Sequence, residues 1–350
     1  MGVMLARASL PGVLAQIRHV APVRPSAAPE PVTRVYAQLE HDFGMLAPPV
    51  ILHAPAPELL AACWIMLRES LLAEGTVGRA AKEMAAAAVS LGNRCPYCVD
   101  VHGAMLRSMT GGRYTAGELE TVPDPDMRRI AAWARSWQPR EISWRPHAEL
   151  VAVATTFHYL NRMVNVFLAD SPIPPQVPGS LQRVLMRLFG TVMSSATGRP
   201  GAPGASLSLL PGAELPADLS WAREEPILAQ AFSRAAAAVE TAGSLSVPRT
   251  VRELVTAHLA GWDGAPVGLS RSWVTDAVRL LAPVHRPAGR LALLTAMAAY
   301  QVDDQVIEEF RQGRPGDRAL IELTSWAAFA AARRAAVPAL SPIPSKRRTS

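Results

Sequence analysis

The sequence predicts an all-α protein made of two related helical halves. Three observations carry that reading: apolar residues recur at helical spacing along most of the chain, strand and hairpin signals are poor, and a segment of the first half returns about 170 residues later. In Pro57 to Leu72, Leu60, Cys63, Leu67 and Leu71 share one apolar face. Runs of the same character follow at Val77 to Leu91, Pro96 to Met109, His147 to Leu168, Pro226 to Thr241, Val251 to Ala260 and Pro287 to Phe310. No Asn-Gly turn occurs, and β-branched residues are scattered in Ala/Leu/Arg surroundings that favour helix. Between Ser171 and Ser220 the composition turns to Pro, Gly and Ser, most clearly over Thr197 to Pro216, with one short helix near Leu181 to Leu188. That stretch reads as a connector or surface loop. The expected organisation is an N-terminal extension (1–49), a first repeat (50–170), a connector (171–220), a second repeat (221–335) and a basic tail (336–350).

The 350 residues suffice for about two domains. Hydrophobic residues at 49% and charged residues at 18% exclude global disorder. Arg, Glu, Asp, Pro or His interrupts every apolar stretch before the roughly 18–20 residues a bilayer demands, so no membrane partner is expected. The net charge of +6 invites a nucleic-acid reading, but the excess sits at the two ends. Residues 1 to 34 hold Arg7, Arg18, Arg24 and Arg34 against Glu30, and Lys346, Arg347 and Arg348 close the chain. Nucleic-acid binding needs a basic face on the folded body, so no nucleic acid is expected either. Arg7, Pro11, Gln16 and Arg18 break up any secretory signal in the first 30 residues, and the expected location is the cytoplasm.

The duplication is ungapped. Thr76-Val-Gly-Arg-Ala-Ala-Lys-Glu83 lies over Ser246-Val-Pro-Arg-Thr-Val-Arg-Glu253, Cys95-Pro-Tyr-Cys98 over Ala265-Pro-Val-Gly268, and His102 over Ser272. Thr76 and Ser246 suit helix N-caps, and Pro96 and Pro266 suit the first position of the next helix.

The chemistry lies in the first copy: Glu83, eleven residues, Cys95-Pro96-Tyr97-Cys98, three residues, His102. Gly92 and Asn93 end the helix that bears Glu83, Pro96 opens the next at N1, and Cys95 and Cys98 fall at its N-cap and N3. Both sulfurs then meet the positive end of a helix dipole, which favours thiolate. His102 is one turn beyond Cys98, placed to exchange a proton with it. Glu83 joins them only through tertiary packing, and alone it reads equally as a salt-bridge partner of Arg79. Zinc is the competing use of Cys95, Cys98, His102 and Glu83. Structural zinc sites, however, usually bring a second ligand pair from farther along the chain, so neither a metal nor a cofactor is expected. Cys63 sits on an apolar face and reads as core. His53, His158 and Tyr159 read as helix-packing groups, the last two with a second option of lining a pocket over Cys98.

Glu-x11-Cys-x2-Cys-x3-His on an Ala-rich helix pair, followed by the helix with Asn161-Arg162-Met163-Val164, resembles the AhpD-like alkylhydroperoxidases of the carboxymuconolactone decarboxylase superfamily. The resemblance covers about residues 50 to 170, and about 225 to 335 in degenerate form. It implies an all-helical cytoplasmic homo-oligomer that reduces hydroperoxides through a dithiol/disulfide cycle reopened by an external thiol or disulfide reductant. By position, Cys98 resembles the peroxide-attacking sulfur, Cys95 the resolving one, and Glu83 and His102 the proton relay. Tyr97 departs from the inner histidine of the Cys-Ser-His-Cys pattern, and a phenol is a poor base at neutral pH. The alternatives are a decarboxylase-like enzyme acting on a lactone or carboxylic acid and a non-enzymatic redox-sensing or scaffold protein. The second copy has neither cysteine nor histidine at the matching positions. It is expected to be catalytically dead and to supply, within one chain, the packing surface that single-domain relatives obtain from a second subunit.

Overall fold

The computed structural model describes residues 10–114, 122–136, 146–174, 176–197, 201–264 and 267–336. Every regular element among these residues is helical, apart from one parallel bridge between Ala73 and Gly201. The first half comprises α1 (residues 10–15), α2 (Glu30–Asp42), α3 (Pro48–Ile51), α4 (Pro57–Leu67), α5 (Arg79–Gly92), α6 (Pro96–Met109), α7 (Pro125–Arg135) and α8 (Ala148–Phe167). Then come α9 (Gly179–Ala196), α10 (Pro226–Ser246), α11 (Arg249–Gly261), α12 (Ser272–Val278), α13 (Arg286–Ala298), α14 (Asp304–Gly313) and α15 (Asp317–Ala336). The basic tail, Arg7, and the Ala265-Pro266 pair lie outside the described residues.

The halves correspond element by element. α5 and α11 begin at residues 79 and 249, α4 and α10 at 57 and 226, and α8 and α15 at 148 and 317. Counterparts also meet: α4 packs on α10 and α8 on α15, as two copies related by a two-fold axis would. α8 lies between α5 and α15, which is why almost all of its faces are buried. Thr76 and Ser246 are not N-caps, since Gly78 and Pro248 hold those positions. Their hydroxyls donate instead to carboxylates of the last long helix of each half. Thr76 Oγ1 is 2.7 Å from Glu149 Oε1, and Ser246 Oγ donates to Glu322. The loop before α5 also turns the Thr76 amide to Glu149 at 2.8 Å, whereas Ser246 reaches Glu322 from the last residue of α10.

Three stretches differ from the sequence expectation. Leu67 leads into one π-helical turn, Arg68–Leu72, where Arg68 is buried against Asp42 (2.5 Å) and Glu69 (2.8 Å). Glu69 also accepts from Gly204 N and Ser206 Oγ, which stitches the Pro/Gly-rich stretch to the core. The expected run Pro287 to Phe310 is broken where Asp303 caps α14 by accepting from Val306 N at 3.1 Å. Finally, the short helix expected at Leu181 to Leu188 is the 18-residue α9, which packs along α6. Gly190 allows that approach, because a Cβ there would sit 2.5 Å from Ala104 O.

Candidate active site

Cys95 joins two helices. α5 ends at Gly92 with Asn93 as C-cap, and Arg94 takes a left-handed φ of 52°. Arg94 N donates to Leu91 O (3.2 Å) and Cys95 N to Ser90 O (3.0 Å), the paired bonds of a Schellman turn. Arg94 occupies a place that glycine usually fills, and its guanidinium lies 5.0 Å from the Tyr300 ring of the second half. Cys95 is thus the last residue of that turn and at once the N-cap of α6, with Pro96 at N1 as the spacing predicts. The chain reverses over these few residues, which brings α6 back along α5 and sets His102 beside Glu83.

His102 Nδ1 lies 2.7 Å from Glu83 Oε2, while Glu83 Oε1 accepts from Arg79 Nε (2.9 Å) and Nη2 (2.8 Å). Glu83 is buried. Burial raises its pKa, but Arg79 and His102 more than offset that, and the carboxyl sits below its ordinary value. It is therefore an acceptor only, so Nδ1 of His102 carries the hydrogen and Nε2 is left as the basic nitrogen. The ring is held edge-on to Phe157 at 4.4 Å. Packing thus turns His102 toward Glu83 and gives it no hydrogen bond to Cys98, the neighbour its spacing predicted. The two residues face one cavity of about 760 Å³, which Tyr97 also lines.

The two sulfurs differ. Cys98 opens onto that cavity, and Cys95 lies behind it with no exposure. The expectation of a lowered thiol pKa fails at Cys95: burial and the adjacent Cys98 push it well above the ordinary value, although Asn161 hydrogen-bonds to it. The helix dipole is outweighed there by desolvation. Asn161 belongs to a buried polar cluster that the sequence did not assign. Its Oδ1 accepts from Asn93 Nδ2 at 2.9 Å, and its Nδ2 donates to Ser90 Oγ at 3.1 Å. His158 Nδ1 meets Asn93 Nδ2 at 3.0 Å, and Arg162 donates to the Ala296 carbonyl of the second half at 2.8 Å.

His158 and Tyr159 are therefore packing groups and not the roof over Cys98. Tyr159 points toward the second half, with its hydroxyl 2.7 Å from His53 Nε2 and 3.1 Å from Ser325 Oγ. Cys63 is fully buried and burial raises its thiol pKa, as a core cysteine requires. Tyr97 donates to Gln16 Oε1 at 3.0 Å, and burial pushes its hydroxyl pKa up, so it is a fixed donor and not a base. The cavity walls are the part that the sequence did not reveal. Much of the wall comes from residues 12–18, 43–49 and 171–189, stretches expected to be extension and connector, which close over Leu67, Leu71, Phe157 and Leu160 of the first repeat.

Of the side chains that a metal would need at this site, His102 and Glu83 already bind each other, and Cys95 does not line the cavity that Cys98 and His102 face. A second group of ligand-type side chains, His147, Glu149 and Glu225, lies elsewhere. Its Glu149 is occupied by Lys82 Nζ (2.7 Å) and by Thr76.

The profile of the carboxymuconolactone decarboxylase family matches residues 57–123, the stretch that holds Glu83, Cys95, Cys98 and His102. An alkyl hydroperoxide reductase of Mycobacterium tuberculosis (strain ATCC 25618 / H37Rv) is 35% identical over 328 residues, spanning 91% of this chain and 93% of its own. That match extends across both halves, including the one without cysteines.

Proposed function

The chain belongs to the AhpD-like branch of the carboxymuconolactone decarboxylase superfamily, and on that premise we propose that it reduces organic hydroperoxides by a Cys98/Cys95 dithiol cycle. One observation carries the reading: of the two sulfurs, Cys98 is the one that opens onto the cavity, where it lies beside a histidine oriented by a buried carboxylate.

His102 Nε2 takes the proton of Cys98, with Glu83 holding the ring and stabilising the imidazolium. The Cys98 thiolate attacks the distal peroxide oxygen. An S–O bond forms, the O–O bond breaks, and the leaving alkoxide takes the proton from His102 to depart as alcohol. Cys95 Sγ then attacks the Cys98 sulfenic acid; the S–S bond forms, and hydroxide leaves as water with the Cys95 proton. Two thiols are oxidised as one hydroperoxide becomes alcohol and water. An external dithiol supplies the two electrons that reopen the disulfide, in keeping with a reducing compartment.

The high pKa of Cys95 suits this order of events, because the buried thiol stays protonated until Cys98 is oxidised, and the Asn161 amide is then at hand for the developing charge. Thiol counting with mass mapping before and after stoichiometric hydroperoxide tests the scheme. The expected result is rapid loss of two thiols, mapped to a Cys95–Cys98 link with Cys63 untouched. Cys98→Ser should lower peroxide consumption by about three orders of magnitude or more. Peroxide consumption retained in that variant removes the assignment, and a disulfide formed without turnover by any dithiol moves the reading to redox sensing.

A further inference from the structure

We propose that the cavity selects long-chain hydroperoxides that carry a carboxylate, and that Arg18 at its rim is the residue that takes the acid group. The proposal rests on the peroxidase reading and adds the substrate class to it.

A cavity of about 760 Å³ falls in the range that encloses a drug-sized ligand and far exceeds what hydrogen peroxide needs. Its walls are apolar: Phe43, Met45, Leu71, Phe157, Ile173 and Phe189 offer an alkyl chain continuous contact. Such a surface contributes affinity in proportion to the chain it buries and says nothing about where the chain should stop. That information comes from charge. Among the described residues lining the cavity, Arg18 carries the one full charge at neutral pH.

Arg18 is fixed by carbonyls. Its backbone N–H donates to Phe167 O at 2.8 Å, and its Nη2 donates to Leu168 O at 2.7 Å. Among the described residues no carboxylate pairs with it, whereas many of the chain's other arginines have found an acid. A guanidinium has five donors in a planar fork that matches a carboxylate, so this one is oriented, unneutralised and placed at the mouth of a greasy chamber that holds Cys98. The complementary molecule is an amphiphilic anion with an apolar tail. Arg18 and most of the apolar wall lie outside residues 57–123, so this preference belongs to the outer segments of the chain and not to the stretch bearing the catalytic motif.

Two measurements on the full chain test the proposal. In steady state with a small dithiol as reductant, linoleic acid hydroperoxide should exceed its methyl ester in kcat/KM by about five- to tenfold, as a partly exposed charged contact allows. Arg18→Gln should abolish that ratio, Arg18→Lys should keep part of it, and Arg34→Gln on the exposed face of α2 should leave it intact. Calorimetry on the Cys98→Ser chain gives the second readout, free of thiol chemistry: dodecanoate should bind more tightly than dodecanol by a similar factor, and Arg18→Gln should remove the difference. Equal kcat/KM for acid and ester, equal binding of dodecanoate and dodecanol, or a preference that survives Arg18→Gln overturns the proposal. If no hydroperoxide is reduced at all, the peroxidase reading falls, and the binding measurement still decides what the cavity takes.

Discussion

The two halves carry the same ion pair in different settings. Arg79 and Glu83 on α5, and Arg249 and Glu253 on α11, are each one helical turn apart at 2.8 Å. Glu83 is 1% exposed and its second oxygen holds His102; Glu253 is 59% exposed and holds no further partner among the described residues. The pair is therefore scaffold in both halves, and the proposed relay forms where a second helix closes over it. In the first half Pro96 starts α6 directly after the Schellman turn and brings His102 onto Glu83. In the second half α12 begins only at Ser272 and is half as long, and among the described residues no helix covers Glu253. What the second half retains is its packing face, with α10 and α15 laid against α4 and α8.

Removing that face gives the largest expected effect. A chain ending at residue 175 would present the buried sides of α4 and α8 to water, and it should self-associate or fail to fold, as sedimentation and circular dichroism would show. A folded, active 1–175 fragment with the oligomeric state of the whole chain would break the comparison.

The two glutamates sharpen it at single-residue cost. Glu83→Gln leaves Arg79 and His102 facing an uncharged amide inside the fold, and should cost about 2–4 kcal/mol of stability and roughly a hundredfold in the rate of Cys98 oxidation. Glu253→Gln removes an exposed pair and should cost under about 0.5 kcal/mol, with no change in rate. Urea unfolding and stopped-flow oxidation check both, and equal losses would mean that burial is not what distinguishes the halves.

Much of this contrast could be read from the chain, and the rest could not for identifiable reasons. α6 was legible to the residue because Pro96 at N1 marks its start, and the Cys-Pro-Tyr-Cys spacing fixed the sulfurs on it. α15 was not, because an Ala-rich helix buried on most faces shows little periodicity. α9 was hidden by the Pro/Gly/Ser composition on either side of it. The cavity was illegible in principle, since its walls come from separated stretches of the extension, the first repeat and the connector, whose meeting is a tertiary event. The direction of the Cys95 shift was misread for the same reason: a helix N-terminus is visible in sequence, and complete burial is not.

Acid should act on the first half before the second. His53 and His158 are buried and neutral, with burial lowering His53 to about 4 and His158 well below its ordinary value, whereas His258 and His285 are only part-buried. The folded protein therefore binds fewer protons than the unfolded chain between these values and about 6.5, so stability is complete above pH 6.5 and declines as pH falls toward 4. For His53 the total is on the order of 3 kcal/mol, about 2 of it by pH 5. Urea midpoints at pH 7 and pH 5 measure the drop. His53→Gln should shrink the gap, while a gap unchanged in that variant would place the titrating group elsewhere.

The smallest test concerns the last residue of the matched helices. Gly92 ends α5 where a Cβ would stand 2.7 Å from the Arg135 carbonyl of α7; Gly261 ends α11 with nothing within 4 Å. Gly92→Ala should cost about 1–3 kcal/mol, because the opposing atom is backbone and cannot rotate away. Gly261→Ala should be neutral or stabilise by about 0.5 kcal/mol, through the lower entropy of the unfolded chain. Gly92 also immediately precedes the turn that delivers Cys95, so displacing α5 from α7 tilts the residue that the proposed cycle brings to Cys98. Gly92→Ala should therefore slow disulfide closure in oxidised protein beyond its effect on thermal stability, and quenched-flow thiol trapping reads the two separately. Equal behaviour of the two alanines would show that the α5–α7 contact is as dispensable as the open end of α11, and that the turn alone positions Cys95.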